Sequence, residues 1–293
     1  MLSEHLNCDA TEEAVYERRA STDLAEYASS LLRATGTELL LVDEGFPSSD
    51  VGTTWRELGQ LAGCAARPIM RIEQQAEALG AQAIQAIKEA VASARQDGYA
   101  GLKTIAAYRG GLDLDALKPP AGPGRLEGAA IRGVLIAALE ANEATGNPLP
   151  VQVHTGFGDS DLLLPKANPG YLKPLIERFR ETAFVLLHCY PFVREAGWLA
   201  HVYSNVYFDL SLTIPHVARP ATALAEALEL APVSKLLYAS DAAQTPELYL
   251  LAAAWWREAM AVVLPELLPD TNAAESAAQM ILRENARRVY GLG

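Results

Sequence analysis

The chain has 293 residues, half of them hydrophobic and a fifth charged, and a formal net charge of −12. That length suits one large barrel or two small domains with a sizeable core and no need of disulfides, while the acidic balance repels nucleic-acid phosphates and anionic membranes, so neither is expected as a partner. Cys8, Cys64 and Cys189 stand far apart with no CxxC pair, no apolar run reaches a membrane span of ~18 residues, and Met1-Leu2-Ser3-Glu4-His5 has no signal-peptide character, so a reducing, cytoplasmic setting is expected.

A helix is expected over 11–34, with Asp9 or Thr11 as its N-cap and Gly36 past its end. The first strand follows at 38–46 (ELLLVDEGF), ending on Asp43 and Glu44, and the second at 66–72 (ARPIMRI), leading into a helix over 72–96. The third, 100–108 (AGLKTIAAY), carries Lys103 and runs out at Tyr108 and Arg109; an irregular stretch over 110–125 and a helix over 126–145, stopped by Gly146, come next. The fourth, 149–155 (LPVQVHT), ends near His154, then an irregular stretch over 156–170 and a helix over 169–181. The fifth, 184–190 (FVLLHCY), carries His188 and precedes a helix over 193–201; the sixth, 206–212 (VYFDLSL), precedes one over 219–231. The seventh, 235–241 (KLLYASD), ends on Asp241, and helices over 246–263 and 273–290 close the chain.

Most of these strands are near-continuous apolar runs, as in a parallel sheet buried on both faces, and their alternation with helices implies βαβ units. No GxGxxG or GxxxxGK[ST] loop follows any strand, which counts against dinucleotide and P-loop nucleotide binding. The two irregular stretches follow strands, where a barrel houses its chemistry. The opening helix has no strand ahead of it. The expected fold is therefore α/β, a distorted (β/α)8 TIM-type barrel missing strand 1, in a single domain over 1–293; an open doubly wound sheet of seven strands is the alternative.

His154, His188 and Asp241 lie near the ends of three apolar strands, which in a barrel gathers them around one mouth. Two neutral imidazoles and a carboxylate suit a borderline-soft divalent metal such as zinc, which polarises a carbonyl and lowers the pKa of bound water to about 7. Asp241 is then the expected catalytic group, taking the proton of that water. Lys103 is read as a functional side chain or as a structural one whose ammonium meets a carboxylate or reaches water. Tyr108 and Arg109 are candidate substrate-binding residues, since a guanidinium grips a carboxylate with two hydrogen bonds; a surface salt bridge is the plain alternative for Arg109. A strand histidine can also be an ordinary core residue, and Asp241 can cap the helix starting near Pro246. His5, His201 and His216 fall in helical or loop sequence and read as structural or solvated.

The segments LLVDEGF (40–46), GLKTIAAYRGGL (101–112), QVHTGFGDSD (152–161), LLHCYPFVREAGWLA (186–200), NVYFDLSL (205–212) and LYASDA (237–242) resemble the amidohydrolase-related family of the metal-dependent amidohydrolase superfamily. The resemblance is greatest to the branch sometimes fused ahead of a glutamine-synthetase-like domain. It implies a distorted (β/α)8 barrel with metal ligands from an HxH pair on strand 1, histidines on strands 5 and 6 and an Asp on strand 8, matching His154, His188 and Asp241; Lys103 falls on strand 4, which in some branches supplies a carboxylated Lys. This chain has no HxH, so two of the family's ligands have no counterpart in it. The implied activity is metal-dependent hydrolysis of a C–N bond in a small carboxylated substrate, such as a γ-glutamyl amide or amine. A metal-dependent decarboxylase and an inactive barrel acting as a binding domain are the rivals. The expected partner is a small molecule, with a homo-oligomer left open.

Overall fold

The computed structural model describes residues 1–45, 53–77, 82–114 and 128–292. Seven strands, β1 (Leu39–Asp43), β2 (Ala65–Arg71), β3 (Gly101–Thr104), β4 (Val151–Thr155), β5 (Phe184–His188), β6 (Val206–Asp209) and β7 (Leu236–Leu237), form one sheet in chain order. Every neighbouring pair is parallel. Helices carry the chain back between strands, and the sheet curls into an incomplete barrel. A doubly wound sheet needs a reversal of strand order, and none occurs among the described residues. Among the described residues β1 pairs only with β2 and β7 only with β6, so the barrel is open along that seam.

Alternation along each strand divides the apolar side chains between two layers. Leu102, Val151, Val153, Leu186, Val206 and Phe208 join the core under the helices, with Ile87, Leu135, Leu224 and Trp256. Ile69, Val185, Leu187 and Leu237 form the barrel's inner cluster, with Leu41 and Tyr207 against it. Tyr290, from the last helix (Asn285–Tyr290), is buried in that inner cluster, and its hydroxyl accepts a hydrogen bond from Gln152 Nε2 at 2.9 Å. Burying each such large apolar side chain contributes roughly 1.5–3 kcal/mol.

Several expected elements are shorter or divided. The helix over 11–34 is two, Glu12–Ser21 and Leu24–Ala34, because Asp23 caps the second by accepting from the amides of Ala25 and Glu26. Thr11, not Asp9, caps the first, accepting from Ala14 N. Trp55–Ala62 is a helix that hydrophobic pattern did not suggest, yet Thr54 and Glu57 spell its capping box. The helix over 72–96 resolves into Ile72–Glu77 and Ala83–Ser93, with 78–81 outside the described residues. Phe46 and residues 115–127, which hold most of the first irregular stretch, also lie outside them. The third strand stops at Thr104 and a 3-10 turn, Ala106–Tyr108, replaces its end. The seventh strand keeps only Leu236–Leu237. The helix Glu247–Leu267 is, by length and composition alone, long and apolar enough to cross a membrane, which corrects the expectation that no segment is. Its Trp256, Met260, Val263 and Leu264 are buried in the main core.

Candidate metal and substrate site

The strand ends surround a cavity of about 2010 Å³, which extends along the seam between β1 and the segment after β7. Asp43, Arg71, Lys103, His154, His188, Asp209 and Asp241 line it, one from each successive strand or, for Asp241, from just past β7. His154, His188 and Asp241 lie near one another at this mouth: the two imidazole rings are 4.5 Å apart, and His188 Nδ1 is 3.9 Å from Asp241 Oδ2.

His154 shares the inward parity of Gln152 on β4. Its ring packs 4.5 Å from that of Tyr108, and its Nε2 is buried without a hydrogen-bond partner. Burial, then the neighbouring His188 and Lys103, holds its pKa well below the usual imidazole range. His188 is likewise held low by burial and by Lys103. Both rings are therefore neutral near pH 7, the form in which imidazole offers a lone pair.

His188 reaches the mouth by another route. Strict alternation from Val185 and Leu187, which face inward, would turn position 188 toward the helices with Leu186. Instead His188 and Cys189 adopt φ of 66° and 68°, a left-handed conformation that redirects the chain. Three side chains hold this bend. Asp209 Oδ1 accepts from His188 N at 2.8 Å, Thr213 Oγ1 donates to His188 O at 2.7 Å, and Thr155 Oγ1 donates to Leu187 O at 2.7 Å. Backbone of this kind costs roughly 1–2 kcal/mol per non-glycine residue and recurs at functional sites.

Asp241 also has positive φ, 50°, and is not the N-cap of the following helix, a position held by Pro246. Its side chain is 37% exposed to the cavity, and its pKa is raised by burial against the opposing pull of Lys103 and His154. Asp209, whose pKa burial pushes up to about 6, and Ser211 were not singled out from sequence. Nor was Glu73, whose Oε1 accepts from Thr104 Oγ1 and from Ile105 N at 2.9 Å, anchoring the bend that delivers Tyr108.

Lys103 neither reaches open water nor stands alone. Its Nζ is 3.0 Å from Asp43 Oδ2, the same oxygen that Arg71 Nη2 meets at 2.5 Å. Burial would raise the pKa of Asp43, but Lys103 and Arg71 outweigh it and bring it down to about 2. Arg109 pairs with Glu77 at 2.9 Å, and the Tyr108 hydroxyl accepts from Asp159 N at 3.1 Å. His216, read from sequence as structural or solvated, is exposed at the cavity, its Nδ1 2.8 Å from Leu212 O. Among the described residues, no three His, Cys, Asp or Glu groups stand close enough to make a ready metal cage.

The profile described as amidohydrolase matches residues 60–292. The chain belongs to the amidohydrolase family. The chain is 32% identical over 314 residues to protein fluG of Emericella nidulans, covering 88% of the chain and 36% of fluG, so it spans about a third of that curated relative's length. A Lactobacillus casei protein provisionally named a metal-dependent hydrolase superposes with a TM-score of 0.87 at 30% identity, over 99% of this chain and 82% of that one. A TIM-barrel protein of Bordetella bronchiseptica superposes with a TM-score of 0.56 at 15% identity, over 99% and 88%, a likeness of fold alone.

Proposed function

We propose that this amidohydrolase hydrolyses a C–N bond of a small carboxylated substrate with the help of a divalent metal, zinc for preference, held by His154, His188 and Asp241. The observation that carries the reading is the pairing of two neutral imidazoles, 4.5 Å apart, with a carboxylate 3.9 Å from one of them at the mouth of a parallel barrel. The donor types fit such an ion, and the buried, unpartnered Nε2 of His154 is a nitrogen the protein alone leaves unsatisfied. When bound, the ion supplies a Lewis acid and an acidified water. Asp241, with its raised pKa and open carboxylate, is suited to accept a proton and return it to the leaving nitrogen. Tyr108, whose pKa burial pushes up to about 12, keeps its proton and can orient the substrate by donating a hydrogen bond. Arg109 must share its guanidinium with Glu77 to bind a carboxylate. The γ-glutamyl character of the substrate rests only on the family's association with glutamine-synthetase-like domains. A single domain and a cytoplasmic setting complete the proposal; the three free cysteines suit the latter.

One observation favours a second reading, a barrel that binds without turnover: three donors that, among the described residues, form no closed cage, beside an ammonium held by Asp43. Zinc titration, followed by a panel of γ-glutamyl amides with ammonia and CO₂ release measured separately, decides between the two. Saturable zinc binding lost in His188→Ala, with ammonia release, is the expected result. CO₂ without ammonia would make the protein a decarboxylase, and no metal binding by the wild-type chain would leave the inactive barrel.

A further inference from the structure

We infer that Asp209 and Ser211 are positioning residues that lock His188 in the Nδ1–H tautomer, leaving Nε2 as the nitrogen with the free lone pair. The inference deepens the proposed function, because it says which nitrogen of His188 serves the site.

The case rests on counting protons. Asp209 Oδ1 receives three donors: His188 N at 2.8 Å, Ser211 N at 2.9 Å and Ser211 Oγ at 2.7 Å. Two of those are backbone amides, which can only donate, so Oδ1 acts as an acceptor throughout. The Ser211 hydroxyl has one hydrogen, and the carboxylate is the stronger acceptor, so that hydrogen goes to Asp209. Ser211 Oγ also lies 2.7 Å from His188 Nδ1. With its own hydrogen committed, Oγ can only accept there, and the hydrogen on that bond belongs to Nδ1. Asp241 Oδ2, 3.9 Å from the same Nδ1, places a second negative group beside the N–H and favours the same tautomer.

The arrangement is built into the fold. His188 is 1%, Asp209 3% and Ser211 2% exposed, so water does not compete for these bonds. Asp209 holds the backbone amide of His188 while its hydroxyl neighbour holds the ring, fixing both the left-handed bend and the orientation of the imidazole it carries. A partner that fixes a ligand's tautomer typically changes metal affinity by about 10–100-fold when removed.

The test is imidazole ¹⁵N NMR on the metal-free protein near neutral pH, with the His188 signal assigned by its loss in His188→Gln. The expected wild-type spectrum shows His188 with a protonated Nδ1 and an unprotonated Nε2. Ser211→Ala shifts the equilibrium toward Nε2–H, Ser211→Thr restores the wild-type pattern, and Ser211→Ala weakens zinc binding about 10–100-fold. A wild-type His188 in the Nε2–H form, or a tautomer unchanged in Ser211→Ala, overturns the inference. The wild-type spectrum needs no variant to fold and no metal to bind. If it shows Nδ1–H while zinc fails to bind the wild-type chain, the tautomer assignment stands and the proposed hydrolase falls.

Discussion

The ammonium of Lys103 lies 3.0 Å from Oδ2 of Asp43, on an oxygen that Arg71 already holds. The three side chains come from β3, β1 and β2, all facing the cavity, and each is only 10–13% exposed. One carboxylate therefore offsets two buried cations at the floor of the site. Asp43→Asn takes from both their ion-pair partner and is expected to destabilise the protein by about 3–5 kcal/mol, measured by urea unfolding at pH 7. The pH dependence has a fixed sign. The folded-state pKa of Asp43 is depressed to about 2, so its contribution is complete above the unfolded value near 4 and is lost as pH falls from there through about 2. Wild-type stability should drop across that window, and Asp43→Asn should remove this part of the drop. An unchanged acid profile in the variant would contradict the pairing.

Asp241→Asn is expected to lower kcat on an identified substrate by about 10²–10⁴-fold while leaving stability within about 0.5 kcal/mol. The amide keeps the volume but cannot take a proton. Asparagine tolerates the left-handed φ of 50° as well as aspartate does, and no helix cap is lost. Near-normal kcat in the variant would remove Asp241 from the chemistry.

Gly158 sits where a methyl group would collide with the Tyr108 hydroxyl and come to 3.1 Å from His154 Cε1. Gly158→Ala should therefore cost about 1–3 kcal/mol and disturb the Tyr108–His154 packing. Tyr108→Phe removes the atom of closest approach and leaves ring Cζ, 2.8 Å away, to move by less, so the double variant should be more stable than the two separate costs imply. A double-mutant cycle by thermal or urea unfolding reads that coupling, and strict additivity would show that the loop adjusts elsewhere.

Among the described residues the outer edges of β1 and β7 meet no further strand, and β1 carries half-buried Leu39, Leu40, Leu41 and Val42 there. Such edges pair with other strands. Chain 1–293 is therefore expected to self-associate as its concentration rises, and Leu40→Lys should shift sedimentation profiles toward the monomer. A monomer at every concentration, in both proteins, would mean that this edge is not an interface.

The sequence by itself determined the alternation of strand and helix, the parallel barrel order and the placement of His154 and His188 at the ends of their strands. These follow from apolar runs and turn residues, which act over a few neighbouring positions. It also held the capping box at Thr54 and Glu57, a local signal that apolar periodicity alone passes over. Only the tertiary structure decided the rest, because the rest depends on contacts between strands distant in sequence. Lys103 meets Asp43, 60 positions earlier in the chain, only because β1, β2 and β3 lie side by side. The direction of His188 is set against its own strand parity by Asp209 and Thr213, 21 and 25 residues away. β7 ends at Leu237 although LLYASD reads as one strand, and Asp241 stands past it with left-handed backbone. Backbone conformation at such points is chosen by the hydrogen bonds waiting on neighbouring strands, and those partners meet only once the sheet has curled.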